Sequence, residues 1–196
     1  DTRIGFRYLT QTSLNFNDNP SFKGLGPGLK VAAGAINNVD LNFKMPQSII
    51  GSVFHQLNNQ WAVLGSLGWE EWSKFGNVQV GVNNSGLTTL DLKYKDTWHA
   101  GIGGQYKPDS MYTYNMGFSY DSELSSDAKR SLAIPLGQMF RFGFGGERQN
   151  SKDLVVGVAA DLMWEGDLGV TSSSSAGEVN GHYANVFILF TSVYAK

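Results

Sequence analysis

The feature that most constrains this chain is alternation of side-chain character, sustained over segments of about ten residues separated by turn residues. Trp98, Ala100, Ile102, Gly104 and Tyr106 interleave with Thr97, His99, Gly101, Gly103 and Gln105. Tyr112, Tyr114, Met116, Phe118 and Tyr120 interleave with Thr113, Asn115, Gly117, Ser119 and Asp121. Phe140, Phe142 and Phe144 oppose Arg141, Gly143, Gly145 and Glu147, and the run from Leu154 to Trp164 follows the same scheme. Near the start Ile4, Phe6 and Tyr8 alternate with Arg3, Gly5 and Arg7. Successive side chains of a strand point to opposite faces, so each segment has one greasy face and one small or polar face. Core strands are expected near 2–13, 47–57, 60–73, 95–107, 110–121, 137–148, 152–165 and 182–195, eight in all.

Two architectures satisfy this pattern. In a soluble barrel the greasy face is the core; in an outer-membrane barrel it meets lipid and the polar face lines a wet lumen. Aromatic placement favours the second. Trp61 and Trp69, Trp98 and Tyr106, and Tyr112 and Tyr120 are each eight residues apart on one face. Eight residues of strand cover about 26 Å, or roughly 20 Å of height at a tilt of about 40°, close to the separation of the aromatic girdles around an apolar band about 25 Å tall. These residues, with Trp164, are the expected membrane-interface aromatics. The fold expected is an all-β, antiparallel, up-and-down transmembrane β-barrel.

Composition narrows the classes further. The longest clean apolar runs, such as Val186 to Phe190, fall far short of the roughly 20 residues of a membrane-spanning helix. With 15 basic and 17 acidic residues the net charge is -2, which provides no basic surface for nucleic acid. Absence of cysteine removes disulfides, thiolate metal sites and thiol nucleophiles. The first residue is Asp1, as expected of a mature, processed or excised chain.

Short and long connections alternate, as when one rim of a barrel faces the periplasm and the other the outside. Leu57–Gln60, Lys107–Ser110 and Gln149–Lys152 are tight; Asn58, Asn59 and Asp109 tolerate left-handed turn conformations, and Pro108 presets one backbone angle. The connections 14–46, 74–95, 122–136 and 166–181 are expected to be long loops on a single barrel domain or barrel fragment spanning 1–196. Ser172–Ser175 reads as a flexible polar stretch, and Gly24–Gly28 as a surface connection, lacking the Lys-Ser/Thr pair of a phosphate loop.

The stretch 54–75 carries His55-Gln56-Leu57 before a turn, Trp61 after it, and Trp69-Glu70-Glu71-Trp72-Ser73-Lys74-Phe75 at the far end of the strand. It resembles the FadL/TodX (OMPP1) family of outer-membrane transporters of long-chain fatty acids and other hydrophobic molecules. Thr2-Arg3-Ile4-Gly5 with Arg7-Tyr8, Met45-Pro46-Gln47-Ser48, and Lys95-Asp96-Thr97-Trp98 with Gly101 and Tyr106 are similar to further elements of that family, in the same order. The resemblance covers only the family's carboxyl-terminal part. It implies eight strands of a larger barrel of about fourteen, without the amino-terminal hatch that plugs the lumen. It also implies a Gram-negative outer-membrane location, passive uptake without a cofactor, and as partners outer-membrane lipid and a long-chain fatty acid or other hydrophobic ligand. The closing Ala195-Lys196 departs from the terminal aromatic usual in such barrels.

No catalytic constellation is visible along the chain. His55, His99 and His182 lie on separate segments, none with a second ligand at metal-binding spacing. A lipase-like site needs a Ser/His pair, and His99 has Gly101 and Gly103 as same-face neighbours along its own segment, which leaves the necessary Ser unplaced. The expected lumen-lining residues are Arg3, Arg7, His99, Gln105, Asn115, Asp121, Arg141, Glu147 and Asp161, with the arginines pairing Glu147 or Asp161 and attracting a ligand carboxylate. Two other readings fit the alternation: a soluble lipid-binding barrel with its aromatic face inward, and a small structural or adhesive outer-membrane barrel.

Overall fold

Period-two patterning becomes twelve strands and one short helix in the computed structural model, which describes residues 1–21, 36–83, 86–130, 135–174 and 177–196. The strands are β1 (Thr2–Leu9), β2 (Thr12–Asp18), β3 (Val39–Met45), β4 (Ser48–Gln56), β5 (Trp61–Glu70), β6 (Asn77–Val82), β7 (Leu87–Asp91), β8 (Thr97–Tyr106), β9 (Tyr112–Asp121), β10 (Met139–Ser151), β11 (Leu154–Ser174) and β12 (Gly177–Ala195). Helix α1 is the single turn Trp72–Phe75. Eight strands form one antiparallel sheet in the order β1-β4-β5-β8-β9-β10-β11-β12, with β1 and β12 at its open edges. Among the described residues no helix is long and apolar enough to cross a membrane.

Directly opposed residues of an antiparallel pair share a face, so the register tests the alternation across the whole sheet. One face carries Ile4, Val53, Gly65, Ile102, Phe118, Phe142, Leu162 and Leu189 in successive opposition. The other carries Gly5, Ser52, Ser66, Gly101, Ser119 and Arg141. No strand reverses the assignment. The apolar face is open to its surroundings: Ile4 is 83% exposed, Trp98 62% and Phe142 43%. Among the described residues the buried apolar side chains are only Ala62, Leu168 and Val170. A dry aromatic centre, which the soluble reading requires, is not what the strands build.

Tryptophan and tyrosine side chains gather toward the two ends of the apolar face, with Phe118 and Phe142 between them. At the tight-turn end Trp61 stacks on Tyr106 at 4.4 Å, and Tyr114 lies opposite Tyr106. Toward the other end Trp69 faces Trp98, and Tyr120, Phe140, Trp164 and Phe187 follow one another at 5.1, 5.6 and 6.2 Å.

At the tight turns Asn58 and Asp109 do not adopt positive φ; such values among non-glycine residues occur at Asn83, Lys93 and Asn185. Their side chains serve as acceptors instead. Asn58 Oδ1 takes the amides of Gln60 and Trp61, and Asp109 Oδ1 those of Met111 and Tyr112. A short polar side chain thereby satisfies the amides that a two-strand reversal leaves unpaired.

The long connections hold more structure than loops. Segments 14–46 and 74–95 hold most of β2 and all of β3, β6 and β7, which form a second antiparallel sheet in the order β2-β3-β6-β7. Each strand adjoins, in sequence, a strand of the first sheet. Asparagines at 15, 17 and 42 weaken the strand signal there, yet Asn15 opposes Asn42 and Asn17 donates to Asp40. Residues 72–75 turn into α1 rather than continuing β5: Asp96 Oδ1 accepts the Ser73 amide at 3.1 Å, and the Gly76 amide closes the turn on the Trp72 carbonyl. Phe75 then meets Phe43, Trp72 and Tyr94 at 5.5 to 6.3 Å, joining the second sheet to the strand ends. The 166–181 connection is the outer half of the β11–β12 hairpin, with Ser172 opposite Val179. Pairing resumes there after register shifts around Gly166, whose φ is +70°. Gly24–Gly28 and Ser175 lie outside the described residues.

Candidate functional site

The polar face carries a trough of about 620 Å³, bounded by Arg3 and Phe54 on one side and by Arg141 and Asp161 on the other. Its floor has few side chains. Gly103, Gly117 and Gly143 lie opposite one another across β8, β9 and β10. A Cβ at Gly117 would stand 3.4 Å from the Ile102 carbonyl, and one at Gly103 3.2 Å from that of Met116. A second hollow of about 520 Å³ continues along the same face past Asn115 and Asp161 to Tyr194.

Arg3, Arg7, His99, Gln105, Asn115, Asp121, Arg141, Glu147 and Asp161 all fall on this face by register. The ion pairs differ from those expected. Arg141 Nε approaches Asp121 at 3.7 Å, and Glu147 is paired with Lys196 at 2.9 Å. Arg3 places its guanidinium 4.6 Å from the centre of the Phe54 ring. The register explains the exchange. Arg141 is opposite Ser119 and so diagonal to Asp121, whereas Glu147 lies six residues further along β10, near the chain's last residue. Gln105 donates to Asn115 at 3.0 Å across β8 and β9. Asp161 Oδ1 and Asp121 Oδ2 are buried without a hydrogen-bond partner.

One polar cluster on this face is not found by reading along the chain. His99 lies opposite Asp121, and its Nδ1 is 2.8 Å from Asp121 Oδ1. Its Nε2 is 3.3 Å from the hydroxyl of Ser66, which comes from β5. Gly101, opposite Ser66, makes that reach possible: a Cβ there would stand 2.8 Å from Ser66 Oγ and 3.3 Å from His99 Nε2. The signal for Ser66 was present in the alternation of 61–69, but it required pairing that segment with 97–106. Of the other histidines, His55 is on the apolar face bonded to Thr2 at 2.7 Å, and His182 lies opposite Gly169 in the outer hairpin. Among the described residues no group of three His, Asp or Glu side chains is placed to hold a metal ion.

Outside the trough, Arg130 is buried where Ser125 and Asp127 approach Gly169 of β11. Its Nε donates to the Leu136 carbonyl at 3.0 Å, its other nitrogens reach the Ser125 and Gly169 carbonyls, and it pairs with Asp127.

Comparison with known proteins places this architecture. The family model described as outer membrane protein transport protein (OMPP1/FadL/TodX) matches residues 1–195. The chain belongs to this family. It is 25% identical over 173 residues to the long-chain fatty acid transport protein of Escherichia coli, covering 83% of this chain and 39% of that protein. It is 27% identical over 135 residues to outer membrane protein P1 of Haemophilus influenzae, covering 68% and 28% respectively. The chain therefore spans well under half the length of these relatives. Among solved structures, the FadL homologue of Pseudomonas aeruginosa aligns over 99% of this chain and 48% of its own, at a TM-score of 0.80 and 20% identity. The Pseudomonas putida toluene transporter TodX aligns over 81% and 36%, at 0.53 and 22%. The open sheet is thus a set of OMPP1/FadL/TodX barrel strands of the outer membrane, and its named relatives are transport proteins and channels.

Proposed function

We propose that these strands form part of the wall of an outer-membrane channel for passive uptake of long-chain fatty acids or other hydrophobic molecules. In this reading the apolar face meets lipid, the trough lines the lumen, and the remaining strands and the hatch lie elsewhere in the whole protein. The observation that carries it is one register of alternating faces held across eight strands, with tryptophan and tyrosine toward both ends of the more apolar face. The names of the relatives supply the substrate class.

Such passage needs no energy source. Transfer of an alkyl chain out of water is favourable by about 0.8 kcal/mol per methylene, so a sheltered path with weak successive contacts suffices. The glycine floor leaves room for a chain, and Arg141 and Arg3 offer positive charge to a carboxylate. Uptake of radiolabelled oleate by cells whose only such channel is the intact protein tests this. Arg141→Ala is expected to slow oleate uptake severalfold and to leave uptake of an uncharged hydrocarbon unaltered. Equal rates for oleate in both proteins would remove Arg141 from the path.

A further inference from the structure

We propose that Ser66, His99 and Asp121 form an ester-hydrolysing triad on the wall of the trough. The proposal takes from the transport reading only that this face meets water. The chain Ser66 Oγ to His99 Nε2 at 3.3 Å and His99 Nδ1 to Asp121 Oδ1 at 2.8 Å has the connectivity of a nucleophile, a base and an orienting carboxylate. An ionised Asp121 only accepts, so His99 donates from Nδ1 and presents the lone pair of Nε2 to the Ser66 hydroxyl. His99 and Asp121 are about one-third exposed, so the group is open to the trough.

Surrounding residues fit that chemistry. Ser52, opposite Ser66 on β4, holds its hydroxyl toward Gly5, and Arg3 lies over the Phe54 ring; both line the same trough and are the side chains that would turn to a developing oxyanion. Sheet backbone amides are committed to the ladder, so side chains must fill this role. Leu64 and Phe54 share the face with Ser66, and the Gly103–Gly117–Gly143 strip runs beside it. A long-chain acyl ester is the substrate class this suits.

The step balances with water alone. Ser66 Oγ bonds to the acyl carbon as its proton passes to His99 Nε2. The carbon–alkoxy bond breaks and the alcohol leaves with that proton. Water, deprotonated by His99, then releases the carboxylic acid and restores Ser66. Asp121 is a positioning residue.

The test uses the intact protein in detergent micelles, a long-chain alkyl fluorophosphonate as probe, and the 4-nitrophenyl ester of palmitic acid as substrate. Mass spectrometry is expected to map the label to Ser66, with ester turnover abolished in Ser66→Ala. Asp121→Asn is expected to lower turnover about 10²–10⁴-fold, with partial rescue by Asp121→Glu; heat-modifiable migration confirms that each variant is folded. Absence of label on Ser66, label without ester turnover, or equal turnover in Ser66→Ala overturns the proposal. Oleate uptake by the wild-type protein is scored separately. Normal uptake without labelling removes the triad and keeps the channel, and labelling without uptake does the reverse.

Discussion

Arginine placed at Ile102 probes the orientation on which the lipid-facing assignment depends. Ile102 is 67% exposed on the apolar face, opposite Gly65 and Phe118. It lies four residues from Trp98 and four from Tyr106, or about 13 Å of strand each way. At a tilt of about 40° that is about 10 Å of height from either ring, which sets Ile102 near the middle of the hydrocarbon. A charged side chain there costs about 2–4 kcal/mol, a change of about 30- to 900-fold in the folding equilibrium. Three residues on, Gln105→Arg points into the trough and is expected to cost less than about 0.5 kcal/mol. Equilibrium refolding of the intact protein into phosphatidylcholine vesicles in graded urea, followed by tryptophan fluorescence, measures both. Equal penalties at 102 and 105, or none at 102, would refute the assignment of faces.

Other consequences follow from local geometry. Gly145 faces the Val158 carbonyl and the Ala159 Cβ at 3.0 and 3.1 Å for an added Cβ, whereas Gly51 has nothing within 4 Å. Gly145→Ala is therefore expected to cost about 1 kcal/mol or more and Gly51→Ala close to nothing in the same refolding assay. Asn185 holds φ of +48° and donates its amide to Asp167. Asn185→Val should destabilise by about 1–2 kcal/mol, and Asn185→Gly by much less. Arg130→Met leaves several carbonyls unpaired and should cost about 1–3 kcal/mol, read as faster proteolysis within 122–136. The Asp91 carboxyl is held below its ordinary 3.8 by hydrogen bonds from the Lys93 ammonium and then its amide. Its contribution is present above that ordinary value and fades as pH falls through the lowered one. Lys93→Asn keeps an amide suited to its φ of +57° and should raise the Asp91 midpoint toward 3.8 in an NMR titration.

Much of the sheet is legible in the alternation alone. Period-two patterning fixed which side of each strand faced which way, because a one-residue slip would reverse every side chain on it. Arg3, His99, Arg141 and Asp161 consequently share one face and one trough. Partners were less legible, since alternation gives faces and not register. Arg141 met Asp121 rather than Asp161, and Ser66 joined His99 from a neighbouring strand. Strands rich in asparagine, such as β2 and β3, were hidden because their stability comes from being continued from a ladder already formed, which local preference does not report. Arg130 carried no periodic signal at all. Its burial follows from carbonyls brought together at the end of β11.

The β2–β3 ladder runs unbroken for seven residues beyond the break after Leu9, about 23 Å of paired backbone. Its spacing is set by peptide groups and not by whatever joins the two strands at their tip. Residues between Asp18 and Val39 can therefore be lengthened, shortened or exchanged for a little closure entropy while the rim beneath keeps its dimensions.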